Sequence, residues 1–389
     1  MEKYVDLGLP EIYQQQCELP FKVKEAAVYY LEPLTVPTVF YDASGGPFNT
    51  VPVSCWVVLT DENGITGQAP CSPIMKNTIL PWVLTGETLT YNELYRKCYW
   101  AVRNYGFSGE TANELGRLDL ALHDMMAKRA GLPLHTFLGA KRDNVKAYAS
   151  ACGTNLTLDE TVAELEGFLD QGYDVFKIKV AGNFGADLAF SKEKIKVARE
   201  TIGPKCQLAI DVNQIWDAEQ AMRFYDMVAQ YDLAWYEEPV HSHDFTELRK
   251  LTKMCPIPIG MGESVKNYYM LEEYVYCNVG QLQPIPTNLC AVRDWLRARK
   301  LAYDKGIQFT AGGVSQLTAS YAASGREEDM VEYLTPIMQP LNDYMKRHPE
   351  EKNGRFYLDN EPGAGFEPDL DLMRNKGIIA QVAYMKAEK

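Results

Sequence analysis

The chain has 389 residues, 46% hydrophobic and 23% charged, a composition that buries a sizeable core and is not that of a disordered chain. Its formal net charge of -13 would repel phosphate backbones and anionic lipid, so no nucleic-acid and no membrane partner is expected. The start, MEKYVDLGLPEIYQQQCELP, lacks the basic-then-apolar order of an export signal, and no stretch nears ~20 uninterrupted apolar residues, which predicts a soluble cytoplasmic protein.

In chain order, Phe21–Leu31 and Val51–Thr60 read as sheet strands, and Tyr91–Arg103 and Glu110–Gly131 as helices, giving an α+β domain over residues 1–140. Residues 141–335 then alternate β-rich runs with amphipathic helices. The predicted strands are Lys146–Ala151, Asp174–Val180, Gln207–Val212, Leu233–Glu237, Ile257–Gly262, Gly280–Gln283, Ile307–Ala311 and Met330–Leu334; Leu158–Gln171, Asp187–Thr201 and Asp217–Gln230 read as helices. Eight such units in series predict an α/β fold closed into a (β/α)8 (TIM-like) barrel. An open doubly wound sheet would carry a glycine-rich phosphate loop after its first strand, and none is present. Residues 336–389, rich in Pro, Gly and Asn, are too long for a tail and are expected to pack back on the N-terminal domain, the two forming one capping domain. The nine cysteines stand singly without a CxxC pair, and read as buried thiols.

Three carboxylates close consecutive predicted strands: Asp211 ends Leu208-Ala-Ile-Asp, Glu237 ends Ala234-Trp-Tyr-Glu, and Glu263 follows Ile257-Pro-Ile-Gly-Met-Gly. The intervals of 26 and 26 residues equal about one βα unit, which brings the acids to the C-terminal rim where barrel loops build active sites. Unpaired, they would repel one another; a hard, oxygen-seeking cation such as Mg²⁺ relieves that repulsion and leaves positions for substrate oxygens. One strand earlier, Lys177 and Lys179 share one side of an otherwise apolar strand. Beside a cation and beside each other their pKa values are expected to fall, which would let one accept a proton near neutral pH.

These residues, with the run Asp119 to Gly139, Asp211-Val-Asn213, Tyr236-Glu-Glu-Pro239, Gly262-Glu-Ser264 and Pro362-Gly-Ala-Gly365, resemble the enolase superfamily, specifically its mandelate racemase-like subgroup, over nearly the whole chain. The resemblance implies Mg²⁺ on Asp211, Glu237 and Glu263 with Asn213 beside it. It also implies Lys179 as the base that removes a proton α to a carboxylate, and Lys177 as a stabiliser of the enediolate. Glu332 matches a family glutamate that hydrogen-bonds the enediolate when protonated, a form its burial would favour. Residues Val36–Pro47, including Tyr41, look like a mobile specificity loop capping the barrel mouth.

Two departures shape the expected reaction. Family members with a second base carry an Asp on the sixth strand and a His on the seventh; this chain has Gln283-Pro-Ile285 and Phe309-Thr-Ala-Gly-Gly-Val-Ser there. A lyase that eliminates water from a small carboxylate substrate, a sugar acid, therefore leads over a racemase or epimerase, and over a non-catalytic relative. Lys179 could protonate the departing hydroxyl, or Thr310, Ser315 or one of the tyrosines before position 45, Tyr41 among them, could do so. His241 and His243 precede Asp244, which reads as a helix N-cap, and are expected to be structural. The resemblance also implies a homo-oligomer, from dimer to octamer.

Overall fold

The computed structural model describes residues 6–387. Eight parallel strands form the barrel: β1 Asn144–Ala151, β2 Val175–Lys179, β3 Gln207–Asp211, β4 Leu233–Glu237, β5 Ile259–Met261, β6 Gln281–Leu282, β7 Gln308–Ala311 and β8 Met330–Leu334. β8 pairs back onto β1, Met330 with Lys146 through Leu334 with Ser150, and this closes the cylinder. Each interval carries a helix, several with a side-chain cap at the start. Thr157 and Glu160 form a capping box before Leu158–Asp170, as do Asp217 and Gln220 before Ala218–Val228. Asp187 caps Leu188–Ile202 through the Phe190 N–H.

Beside the barrel, an antiparallel sheet runs in the order Ile379–Lys386, Val23–Leu31, Cys55–Asp61, Thr66–Cys71. Its outermost C-terminal strand thus pairs with an N-terminal one. Helix Glu110–Arg129 lies on this sheet with most of its residues buried. Two glycines permit that close packing: a Cβ on Gly67 would sit 2.1 Å from the Ala121 carbonyl oxygen, and one on Gly116 would sit 1.7 Å from that of Leu289 in the loop after β6. Asp119 of the same helix accepts from Tyr91 Oη and from the Val292 N–H, both at 2.7 Å, so its carboxylate joins the sheet side to the barrel. Sequence periodicity did not show the short antiparallel strand Arg355–Tyr357, which continues the barrel sheet beyond β1.

Residues 36–47 are not an irregular loop. They fall within a hairpin, Thr35–Asp42 with Gly45–Thr50, laid over the barrel mouth. Polar bonds hold it there: the Thr154 N–H donates to the Tyr41 carbonyl at 2.8 Å, Thr154 Oγ1 donates to that of Asp42 at 2.8 Å, and Asn155 Nδ2 donates to that of Val39 at 3.1 Å. All nine cysteines are free thiols, eight of them buried. No helix among the described residues is long and apolar enough to cross a membrane.

Candidate active site at the barrel mouth

The parallel register places Lys179 of β2 opposite Asp211 of β3, and Asp211 opposite Glu237 of β4. Three strand ends therefore present their side chains in one row. Lys177, two residues before Lys179 and so on the same face, reaches across this row. Its Nζ donates to Asp211 Oδ2 at 3.0 Å and to Glu237 Oε1, and meets Glu332 Oε1 of β8 at 2.6 Å. Lys179 Nζ donates to the same Asp211 oxygen. All four row residues are at most 5% exposed, so each charge depends on its partners and not on water. The Asn213 N–H fixes Asp211 Oδ1 at 2.9 Å; Trp235 Nε1 at 3.0 Å and Gln283 Nε2 at 2.6 Å fix Glu237 Oε2.

The electrostatics bear on both lysines and on Glu332. Burial disfavours the ammonium of Lys177, but Glu237, Glu332 and Asp211 together outweigh it and hold its pKa well above the ordinary value. Lys179 is likewise raised: burial and the Lys177 charge lower it, and Asp211 with Glu263 and Glu332 reverses that. The surrounding carboxylates thus hold both ammoniums. Glu332 is shifted opposite to what burial alone would give. The charges of Lys177 and Lys179 hold its carboxyl below the usual range despite burial, because the ion pair outweighs desolvation.

Glu263 stands apart from the row. It lies past the end of β5, after Gly262 at φ +141°, and its carboxyl hydrogen-bonds that of Glu238. Glu238 also accepts from Gln214 Nε2 at 2.8 Å and Ser264 Oγ at 3.3 Å, and its φ of +41° is a strained conformation for a non-glycine residue. As placed, no group of three or more His, Cys, Asp and Glu side chains among the described residues converges on one metal position. The Lys177 ammonium lies between Asp211 and Glu237, and Glu263 leans on Glu238.

The donor chemistry nevertheless fits a hard divalent cation. Asp211, Glu237, Glu238, Glu263 and Glu332 interact with one another and with the ammoniums of Lys177 and Lys179, and Lys266 acts on Glu263. Burial first and mutual repulsion second push Glu237 up to about 8 and Glu238 up to about 7, and raise Glu263 well above the carboxylate range. Oxygen-only donors with surplus buried negative charge are what Mg²⁺ binds.

Asn213, at φ +46°, has its Oδ1 3.4 Å from the Ala43 N–H of the hairpin. Tyr41 shares a cavity of about 520 Å³ with Lys179. Thr310 does not line that cavity; fully buried on β7, it accepts from Gln281 Nε2 at 3.2 Å. Ser315 is also fully buried, its hydroxyl 3.5 Å from the Gly313 carbonyl. His241 and His243 are exposed, and Asp244 caps Phe245–Met254 through the Glu247 N–H at 3.0 Å. Past the end of the seventh strand stands Gly312, where an added Cβ would lie 2.5 Å from Glu332 Oε2, the mobile end of that side chain. Sequence reading gave Glu238, Gln214 and Gln283 no role in the cluster. The doubled acid Glu237-Glu238 was a usable signal; for the two glutamines none existed.

A family model described as Enolase C-terminal domain-like matches residues 160–372. An L-talarate/galactarate dehydratase from Salmonella typhimurium LT2 is 28% identical over 278 residues, 71% of this chain and 68% of that protein. A D-Ala-D/L-Ala epimerase from Cytophaga hutchinsonii is 32% identical over 227 residues, 55% of this chain and 58% of that protein. The crystal structure of the Salmonella dehydratase liganded with Mg and L-lyxarohydroxamate superposes with a TM-score of 0.85 at 22% identity, covering 100% of this chain and 98% of that one.

Proposed function

This chain belongs to the enolase superfamily, among its mandelate racemase-like members, and from that premise we propose that it is a magnesium-dependent hydro-lyase converting a sugar acid to a 2-keto-3-deoxy acid. The observation that carries this reading is the one-sided mouth. Lys179 lines the cavity from β2, while the β6 and β7 ends offer Gln283 and Gly312, neither of which moves a proton. Stereochemical inversion needs a proton relay on each face; elimination can use one. The dehydratase relative supports the substrate class.

Asp211, Glu237 and Glu263 would hold the Mg²⁺, which supplies positive charge beside the substrate carboxylate and offsets the buried carboxylates that now keep the lysines charged. Lys179 Nζ takes the α-proton. The electron pair left on the α-carbon forms a double bond to the β-carbon as the β carbon-oxygen bond breaks. The Lys179 ammonium returns the proton to the departing hydroxide as water, and the enol tautomerises to the 2-keto acid. Lys177, oriented by Glu332, keeps an ammonium against the charge that develops on the carboxylate. Gln283 and Trp235 hold Glu237, and Asn213 holds Asp211. A soluble cytoplasmic homo-oligomer, between dimer and octamer, belongs to the same proposal.

Screening aldonates, uronates and aldarates with Mg²⁺ for 2-keto acid tests the reading. One or more should give stoichiometric keto acid, lost with Lys179→Ala. A screen without keto acid, in which recovered acids carry solvent deuterium at the α-carbon, would overturn it.

A further inference from the structure

The cavity that contains Lys179 extends between the hairpin, the loop after β1 and the loop after β2, and a second lysine is built into its wall. Lys194, on helix Leu188–Ile202, is 1% exposed. Its hydrogen-bond partners are neutral: Nζ donates to the Cys152 carbonyl at 2.9 Å and the Gly153 carbonyl at 2.6 Å. An ammonium carries three hydrogens, so the two carbonyls leave it one donor and no ion pair in direct contact. A surface lysine on an amphipathic helix would instead extend to water. Burial pulls the Lys194 pKa down to about 8, and Cys152, Glu164 and Glu160 offset only part of that, so the ammonium is short of negative charge where it stands.

The rest of the wall suits a hydroxylated chain. Tyr41, Thr154, Asn155 and Asn183 bring hydroxyl and amide groups, and the wall's own carboxylate, Asp187, is engaged with the Phe190 N–H. The β2 loop is itself held in an unusual shape, with Ala181, Asn183 and Phe184 at φ +58°, +51° and +55°, and the Phe184 N–H bonded to the Ala43 carbonyl of the hairpin at 2.9 Å.

We propose that the end of this cavity walled by Lys194 is a subsite for a second carboxylate of the substrate, so that the enzyme acts on dicarboxylic sugar acids, the aldarates, in preference to monocarboxylic aldonates. This rests on the dehydratase reading and adds to it the far end of the substrate. Lys179 works on the reacting carboxylate end, and Lys194 pairs with the other. A charge-assisted hydrogen bond in a buried site is worth about tenfold or more in affinity.

The test uses two six-carbon probes without a β-hydroxyl, adipate and 6-hydroxyhexanoate, which differ only in the terminal carboxylate, with binding measured calorimetrically in Mg²⁺. Wild-type protein should bind adipate about tenfold or more tightly than 6-hydroxyhexanoate, and Lys194→Met should close that gap. Equal binding of the two probes by wild-type protein overturns the proposal without any variant, and so does a gap that persists in Lys194→Met. On substrates, the ratio of kcat/KM for galactarate over galactonate should fall about tenfold in Lys194→Met; a parallel loss on both would mean that Lys194 only props the β1 loop. Keto acid formed from aldonates with no adipate preference sinks the subsite alone. An adipate gap without keto acid from any acid sugar sinks the dehydratase reading alone.

Discussion

The two sides of the barrel mouth are built on opposite principles. From β2 to β5 the strand ends crowd Lys177, Lys179, Asp211, Glu237, Glu238 and Glu263 into a buried, mutually perturbed cluster, tied across the barrel to Glu332. At β6 and β7 the corresponding positions hold Gln281, Gln283, Thr310 and Gly312, which are neutral and bonded among themselves or to the cluster. One side gathers the charged and titratable groups; the other is neutral. The proposed elimination needs proton transfer on only one of these faces.

The comparison can be broken at four points, from the largest effect to the smallest. Chelating the metal should abolish turnover, and added Mg²⁺ should raise the melting temperature in proportion to its saturation, because the ion binds the folded cluster; a melting curve indifferent to Mg²⁺ would contradict the cation site. Lys179→Ala should lower kcat by roughly 10³-fold, the usual scale for losing a positioned proton carrier, with the fold intact by circular dichroism. Gln283→Ala should weaken Mg²⁺ by about 10–100-fold, the cost of losing a partner that orients a ligand, while leaving the chemistry of the bound complex nearly as before. Thr310→Val, on the quiet side, should cost about 1 kcal/mol in denaturant unfolding for the orphaned Gln281 amide and change kcat by less than about threefold; a large loss of kcat would show that β7 takes part after all.

The strand ends were legible because the βα rhythm is regular: a 26-residue interval between acids is enough to predict neighbouring strands, and the register of Lys179, Asp211 and Glu237 follows from it. Charge state was not legible. The 2.6 Å contact of Glu332 with Lys177 lowers the carboxyl pKa that burial would raise, and the carboxylates around Lys177 raise its own. Nor was the cavity wall legible. Lys194 sits in an ordinary amphipathic helix, and only the meeting of that helix with Cys152 and Gly153 buries it. The segment over the mouth was legible as a capping loop, but not how it is held, because its bonds run to Thr154, Asn155 and Phe184, more than 100 residues further along the chain.

The most direct test of a one-sided site is a single turnover experiment in deuterium oxide with Mg²⁺ and a substrate aldarate, following recovered acid and product by proton resonance. A lone base on β2 predicts 2-keto acid that depends on Lys179, with no α-epimer of the substrate accumulating. An epimer carrying α-deuterium would require a proton donor on the opposite face and would contradict the account.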